Sequence, residues 1–206
     1  MMRKSGMSML EFCLAVLCGK VFFMLGGLKM ERNVEIMDSG AFMRTLKRLA
    51  HEIVENNSEL SDVAFVGILR RGATIADMLG DIIFDISGVR LPIGYIDITL
   101  YRDDLKEIGE QPSVRGSKID FDVSGKTVIL IDDVIFTGRT VRAAMEAVIE
   151  AGRPRRIRLC VMIDRGHREL PIRADYIGKN VPTSMEEQIK VMVEAFDGEF
   201  AVRLVK

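Results

Sequence analysis

One stretch of the sequence decides the fold class: Val128-Ile129-Leu130-Ile131-Asp132-Asp133-Val134-Ile135-Phe136-Thr137-Gly138-Arg139-Thr140. It starts with a continuous apolar run, which is typical of a buried parallel strand, and this run leads directly into two adjacent acids. A Thr-Gly-Arg-Thr turn follows, and the spacing of the apolar residues after it predicts a helix over 140–150. The order of strand, acidic pair, tight turn and helix indicates an α/β unit.

The turn after the strand has the chemistry of a phosphate site. In an open parallel sheet, ligands lie beyond the carboxyl ends of the strands, and the first amides and the dipole of a helix attract an anion there. Thr137 and Thr140 can donate hydroxyl protons, Gly138 permits a close backbone approach, and Arg139 adds positive charge. The turn therefore fits a terminal phosphate group.

The acidic pair lies directly before this turn. Asp132 and Asp133 are placed to accept hydrogen bonds from vicinal hydroxyl groups, so that a phosphate and a diol together describe a ribose 5-phosphate. The alternative interpretation is an acidic turn with a purely structural role. The chain has neither a Walker A loop nor a glycine-rich dinucleotide fingerprint.

Strands and helices alternate along the rest of the chain. Strands are predicted at 64–69, 92–100, 127–131 and 157–163, and helices at 40–56, 74–83 and 140–150. Ser39, with Asp38 beside it, is the predicted N-cap of the first helix. This alternation predicts an α/β fold with a mostly parallel sheet.

Composition excludes several classes of protein. The chain has 206 residues, of which 48% are hydrophobic and 29% charged, so it is neither disordered nor collagen-like. Its 29 basic and 30 acidic residues give a net charge of -1, which excludes a uniformly basic nucleic-acid coat protein. With no Trp and 6% aromatic residues, extended base-stacking platforms are not expected.

The cysteines and histidines are few and scattered. Cys13, Cys18 and Cys160 make no disulfide framework, and His51 and His167 are too isolated to predict a structural zinc site. Cys160 lies in an apolar run and is predicted to be a buried strand residue. A reducing, cytoplasmic compartment fits this usage, and no membrane association is expected.

The first 29 residues differ from the rest. An apolar stretch over 10–28 follows two basic residues, but Lys20 splits it into two short halves, and an ordinary start follows at Met30. The stretch is open to three interpretations: an upstream extension or misplaced start, an interfacial amphipathic helix, or a targeting signal. We therefore expect an N-terminal extension over 1–29 and one domain over 30–206.

Three stretches carry a family resemblance. Residues 128–140 resemble the phosphoribosyl-pyrophosphate (PRPP) signature of type I phosphoribosyltransferases. Residues 96–104 (Ile-Asp-Ile-Thr-Leu-Tyr-Arg-Asp-Asp) and the stretch 164–180 are similar to one family, the bifunctional pyrimidine-operon attenuation regulators and uracil phosphoribosyltransferases. The resemblance covers roughly 42–193. It implies the type I phosphoribosyltransferase fold, with a mostly parallel sheet flanked by helices and a small hood over the base.

The resemblance also implies a reaction, in which uracil and PRPP give uridine monophosphate and diphosphate. The implied substrate-binding residues are Arg70, Arg71, Gly72, Arg102, Asp132, Asp133, Val134, Ile135, Phe136, Thr137, Gly138, Arg139, Thr140, Arg165, Asp175, Ile177 and Val191. Arg102, Asp132 and Asp133 are the candidate catalytic residues. Mg²⁺ is expected to bind together with PRPP, without a site fixed by the protein alone.

The resemblance also assigns a function to three segments of the chain. Residues 70–72 match a pyrophosphate loop, residues 101–120 a mobile loop that closes over the reaction, and the segment from Asp164 the hood. Uracil specificity is expected from backbone groups near 175–178, with Ile177 against the ring.

Two positions argue against a purine enzyme. Many purine phosphoribosyltransferases have an acid where Phe136 stands, whereas uracil enzymes have an aromatic residue there. Because Phe136 cannot accept a proton, no side-chain general base is evident. The mobile loop carries Leu100-Tyr101 in place of the Ser-Tyr pair of many relatives.

The regulatory half of the resemblance concerns basic residues. The implied RNA-binding residues are Arg44, Lys47, Arg48, His51, Arg168, Arg173 and Lys179. By composition alone the basic helix face would be an ordinary solvated surface. The resemblance implies instead that it binds the pyr mRNA leader, that uridine nucleotides favour this binding, and that the protein is a homodimer or homohexamer. The alternative is an RNA-binding regulator with only vestigial phosphoribosyltransferase activity.

Overall fold

A five-stranded parallel sheet forms the centre of the fold in the computed structural model, which describes residues 33–98 and 118–206. The elements are β1 (Asn33–Met37), α1 (Ser39–Glu55), a 3₁₀ turn (Leu60–Asp62), β2 (Val63–Ile68), α2 (Arg71–Ser87), β3 (Ile93–Ile96), β4 (Thr127–Ile135), α3 (Arg139–Ala151), β5 (Arg156–Asp164), β6 (Tyr176–Asn180), β7 (Gln188–Met192), α4 (Glu194–Asp197) and β8 (Ala201–Val205). The central sheet has the order β3-β2-β4-β5-β6, with parallel pairing between all neighbours. This confirms the predicted α/β class.

The two faces of the sheet are covered by different helices. Along β4, Ile129 and Ile131 belong to the core under α1 and α2, which also contains Phe42 and Leu79. The alternate residues of β4, such as Leu130, pack in a second core under α3. Because successive side chains of a strand point to opposite faces, a continuous apolar run fills both cores.

Helix α1 begins one residue earlier than predicted. Asp38, not Ser39, is the N-cap: its Oδ1 accepts a 2.6 Å hydrogen bond from the backbone N–H of Ala41. Ser39 is already helical. Asp38 and Ser39 both have a side chain that can cap a helix. In the structure, the carboxylate of Asp38 is the group that accepts from the free amide of the first turn.

A second, smaller sheet is antiparallel, with the order β1-β8-β7. With α4, it forms the hood. The sequence predicted a hood beginning at Asp164, but β6, which lies in that segment, belongs to the central sheet. The sequence also did not predict that β1, at the start of the described chain, pairs with the last strand. None of the helices in the described segments is long and apolar enough to span a bilayer.

Several predictions concern parts of the chain outside the described residues. They are the status of the segment 1–29, the thiols Cys13 and Cys18, and most of the mobile loop, including Arg102. The end of that loop is described: Lys118 forms an isolated antiparallel bridge with Tyr95, with backbone hydrogen bonds of 2.8 and 3.0 Å. The chain thus returns to the edge strand β3 at this point.

Candidate active site

The carboxyl ends of β2, β4 and β5 surround a cavity of about 590 Å³. Its walls are formed by Ile68, Leu69, Arg70, Arg71, Ile98, Asp132, Asp133, Val134, Ile135, Phe136, Thr137, Gly138, Arg139, Thr140, Val141, Arg165, Glu169 and Ile189. The structure thus brings together all predicted residues from Asp132 to Thr140 with Arg70, Arg71 and Arg165. This is the edge of a parallel sheet at which ligands are expected.

Two helices begin at this cavity. Helix α3 starts at Arg139, after Gly138 in the left-handed region at φ 95°. Helix α2 starts at Arg71, which follows a cis peptide bond between Leu69 and Arg70. Because the first amides of a helix lack partners within the helix, both starts favour an anionic ligand.

The turn between β4 and α3 is held by the segment that follows β5. The carbonyl of Thr137 accepts hydrogen bonds from the backbone N–H groups of Glu169 and Leu170, at 3.0 and 3.2 Å. The Arg139 guanidinium forms an ion pair with Glu169 at 2.9 Å. Glu169 was not predicted, and its charge partly offsets the positive charge that Arg139 brings to the turn.

The acidic pair lies within β4, since the strand continues as far as Ile135. Asp132 is 6% exposed and its Oδ1 accepts a 2.9 Å hydrogen bond from the backbone N–H of Asp133. Asp133 Oδ1 likewise accepts from the N–H of Val134 at 2.9 Å. Burial raises the pKa of Asp133, against the opposing effect of these hydrogen bonds and of the nearby Arg71. Both carboxylates are therefore held by backbone at the floor of the cavity.

Gly72 lies behind the wall. A Cβ at this position would stand 2.5 Å from the carbonyl oxygen of Ile131 and 3.1 Å from the Cα of Asp132. Only glycine permits the start of α2 to approach β4 this closely. The close contact places Arg70 and Arg71 beside the acidic pair.

The aromatic ring of Phe136 forms another part of the cavity wall. The Arg165 guanidinium lies 4.0 Å from the centroid of the Phe136 ring, while His167 meets the ring edge-on at a centroid distance of 6.0 Å. Arg165 also donates to Thr183 Oγ1 at 3.0 Å and to the carbonyl of Glu187 at 2.7 Å. Burial lowers the pKa of Arg165. The arginine thus ties Phe136 to the segment that leads into β7.

Three predicted substrate-binding residues lie away from the cavity. Asp175 pairs with the strand β5 instead, since its Oδ2 accepts from the N–H of Leu159 at 2.9 Å. Ile177 lies in β6 opposite Val161, and Val191 is buried in the core. The hood contributes Ile189 to the wall, a residue that the sequence prediction missed; it lies two residues before the predicted Val191, on the same face of β7.

Six of the seven predicted RNA-binding residues are exposed: Arg44, Lys47, Arg48, His51, Arg173 and Lys179. Arg48 also donates to the carbonyls of Ile177 and Gly178, at 2.8 and 2.7 Å, which holds α1 to β6.

Arg168, the seventh predicted RNA-binding residue, is less exposed than the other six. Its side chain is only 20% exposed, because it forms a 2.6 Å ion pair with Asp164 and donates to the carbonyls of Ile135 and Phe136. It therefore supports the cavity wall from behind.

The fold and the cavity together define the class of the protein, a type I phosphoribosyltransferase, and the model of the phosphoribosyl transferase domain family matches residues 33–195. Among curated proteins, the chain is 54% identical over 170 residues to the bifunctional protein PyrR of Caldicellulosiruptor saccharolyticus, covering 82% of this chain and 93% of the relative. It is also 54% identical over 175 residues to the bifunctional protein PyrR of Clostridium novyi, covering 85% and 98%. The chain belongs to the PyrR family. This confirms the predicted resemblance and, with it, the predicted function: regulation of pyrimidine-operon attenuation together with uracil phosphoribosyltransferase activity.

Solved structures agree on the fold. A hypoxanthine phosphoribosyltransferase from Staphylococcus aureus superposes with a TM-score of 0.65 at 19% identity, covering 89% of this chain and 96% of the other. One from Trypanosoma cruzi gives a TM-score of 0.66 at 17% identity, covering 84% and 91%. At this identity the likeness concerns the fold alone.

Proposed function

We propose that the cavity is the site at which uracil and PRPP react, and that its residues divide into a phosphate end, a diol floor and a base wall. The observation that carries the proposal is the meeting of two helix starts, an acidic pair and an aromatic wall around about 590 Å³. That volume lies in the range of ordinary ligand pockets.

The phosphate end is the start of α3. Thr137, Gly138 and Thr140 would hold the 5-phosphate of PRPP through hydroxyl and backbone donors, as the helix dipole favours. The side chain of Arg139 is exposed and is paired with Glu169. We therefore assign it a smaller part in phosphate binding than its charge alone suggests.

The diol floor is Asp132 and Asp133, which would accept hydrogen bonds from the ribose hydroxyls. Among the described residues, no group of three or more His, Cys, Asp or Glu side chains could hold a metal ion. The two carboxylates at the floor would hold Mg²⁺ together with PRPP, because carboxylate oxygens are ligands that this ion prefers. The bound ion would neutralise charge on the diphosphate leaving group.

The base wall would be Phe136, held by Arg165, with Ile189 from the hood. A flat apolar ring opposite an aliphatic side chain fits a planar pyrimidine. Phe136 cannot accept a proton, so we propose that water or a backbone group accepts the proton of uracil N1. In this arrangement the reaction depends on positioning and on stabilising the leaving group.

The exposed basic residues of α1, with Arg173 and Lys179, would bind the pyr mRNA leader. Basic side chains contact phosphates, and RNA loops are read through their shape and unpaired bases. A uridine nucleotide in the cavity would favour the RNA-binding state, and RNA binding would raise nucleotide affinity by the same factor.

We also propose that the protein is a homodimer or homohexamer. Sedimentation of the purified protein measures this assembly. We further propose that it acts in the cytoplasm, where PRPP and mRNA are found.

The test is an assay of the purified protein with PRPP, Mg²⁺ and a panel of bases, with and without leader RNA. We expect uridine monophosphate from uracil and no product from hypoxanthine or guanine. Turnover of a purine without turnover of uracil would overturn the substrate. Negligible turnover of every base, with RNA affinity that depends on uridine nucleotides, would favour the alternative of a regulator with vestigial activity.

A further inference from the structure

A bidentate ion pair joins the pyrophosphate loop to the hood. Arg71 Nη2 donates to Asp197 Oδ1 at 2.8 Å, and Arg71 Nε donates to Asp197 Oδ2 at 3.2 Å. The two residues come from opposite sides of the site: Arg71 starts α2, whereas Asp197 ends α4 of the hood. Such a two-point contact fixes the plane of a guanidinium as well as its position.

The carboxylate of Asp197 is itself held in place. Its Oδ2 also accepts a 3.0 Å hydrogen bond from the backbone N–H of Val193, and the Asp197 N–H donates to the Val193 carbonyl at 2.8 Å. Val193 is fully buried. Because both carboxylate oxygens have partners and the side chain is only 17% exposed, Asp197 is a rigid anchor for Arg71.

Arg71 faces the cavity while Asp197 does not. Arg71 is part of the wall and lies close enough to Asp133 for the two charges to affect each other's pKa. The contact with Asp197 raises the pKa of Arg71, and the same contact lowers the pKa of Asp197. The guanidinium is thus a fixed positive charge between the acidic floor and the hood.

We propose that Asp197 is a positioning residue for phosphoribosyl transfer, which acts by holding the Arg71 guanidinium where diphosphate leaves. This rests on the proposed reaction in the cavity. In that reaction the bond from C1′ to the diphosphate oxygen breaks, the diphosphate keeps the electron pair, and uracil N1 bonds to C1′ and gives up its proton. A guanidinium held at the correct place stabilises the departing charge without rearranging, and a misplacement of about 1 Å can cost up to a hundredfold in rate.

The test is the Asp197→Asn variant, which keeps the shape of the side chain and removes its charge. We expect KM for PRPP and the inhibition constant of diphosphate to rise about tenfold, because Arg71 loses its anchor. KM for uracil should stay within about twofold. The matched control is Glu199→Gln, which breaks another hood ion pair, with Arg203 at 2.9 Å, and should change none of these constants.

A double variant separates positioning from a general loosening of the hood. In the Arg71→Gln background, adding Asp197→Asn should change KM for PRPP by less than twofold, since its effect passes through Arg71. A further rise of about tenfold in that background, or an equal rise in both KM values for Asp197→Asn alone, would overturn the proposal.

A second variant applies if circular dichroism shows that Asp197→Asn does not fold. Arg71→Lys keeps the charge but loses the two-point contact with Asp197, and it should raise KM for PRPP selectively. An unchanged KM for PRPP in Arg71→Lys would overturn the proposal. Absence of uracil turnover in the unaltered protein would instead overturn the proposed reaction, and calorimetric binding of diphosphate would then test the Asp197–Arg71 relationship directly. Diphosphate affinity that Asp197→Asn leaves unchanged would contradict it.

Discussion

The Arg168 guanidinium donates a 2.6 Å hydrogen bond to the carbonyl oxygen of Phe136, in the wall of the cavity. The same guanidinium forms an ion pair with Asp164 and reaches the carbonyl of Gly166 at 3.1 Å. It therefore links the end of β5 to the turn that begins the phosphate site.

From this relationship we predict that Arg168→Gln weakens PRPP binding several-fold and lowers the free energy of unfolding by about 2–3 kcal/mol, because a poorly exposed Asp164 loses its charged partner. Urea denaturation and a PRPP titration measure the two effects. The exposed Arg173→Gln is the control and should leave both nearly unchanged. Normal PRPP affinity and stability in Arg168→Gln, with RNA binding lost, would show that this arginine contacts RNA after all.

Sequence alone could not separate these two arginines. Both lie in one short stretch, 168–173, and both fit a basic surface by composition. What distinguishes them is tertiary: Asp164, four residues earlier, and two carbonyls at the end of β4 surround Arg168, while Arg173 stays in solvent.

A second prediction concerns Gly72→Ala. The added Cβ would stand 2.5 Å from the carbonyl oxygen of Ile131, a backbone atom that cannot move without displacing β4. We expect a loss of about 2–3 kcal/mol in the free energy of unfolding, as in overpacked cores, together with a large fall in kcat/KM for PRPP.

Gly80→Ala, in the same helix, is the matched control for this prediction. Its Cβ would meet only the side chain of Ile93, with Cδ1 at 2.7 Å and Cγ1 at 3.8 Å, and the end of this flexible side chain can turn away. Kinetics and thermal unfolding should show little change. A Gly72→Ala enzyme as active as Gly80→Ala would mean that the pyrophosphate loop does not depend on this contact.

The phosphate end could be predicted from sequence because its parts are consecutive in the chain: strand, acids, turn and helix occur within 128–140. The hood could not, because β1 pairs with β8 and these strands lie at opposite ends of the described chain. For the same reason, the parts that Ile189 and Asp197 play could not be predicted from sequence. Each reaches the site or its supports through tertiary packing, and their local sequence carries no phosphate or base signal.

A third prediction tests the RNA surface through its salt dependence. Lys47 is exposed on α1, so Lys47→Gln should remove one phosphate contact and reduce the slope of log affinity against log salt by about 0.7–0.9. Filter binding of leader RNA at several salt concentrations gives the slope. Lys126→Gln, in the loop before β4 where the lysine contacts the carbonyl of Ser61, is the control. Equal slopes for Lys47→Gln and the unaltered protein would remove Lys47 from the surface.

A fourth prediction concerns Cys160, which is fully buried in β5 as the sequence indicated. Burial raises the pKa of its thiol to about 12, so little thiolate forms near neutral pH. In a variant with Cys13 and Cys18 changed to serine, a thiol reagent should not react with the folded protein at mildly alkaline pH, and should react fully in denaturant. Rapid labelling of the folded protein would show that β5 opens to solvent.

The last prediction concerns Tyr95, whose hydroxyl donates a 2.6 Å hydrogen bond to Asp77 Oδ1 beside the point where Lys118 returns to β3. This bond raises the pKa of Tyr95 to about 12. Because the pKa in the folded state lies above that in the unfolded chain, the bond stabilises the fold fully below about pH 10, and the contribution is lost as the pH rises towards 12. We compare the tyrosinate absorbance of the unaltered protein with that of Tyr95→Phe as the pH is raised. The difference should show one tyrosine that ionises at high pH, near 12. Asp77→Asn should shift that ionisation to lower pH, and an unshifted titration would show that Asp77 does not hold the proton on Tyr95.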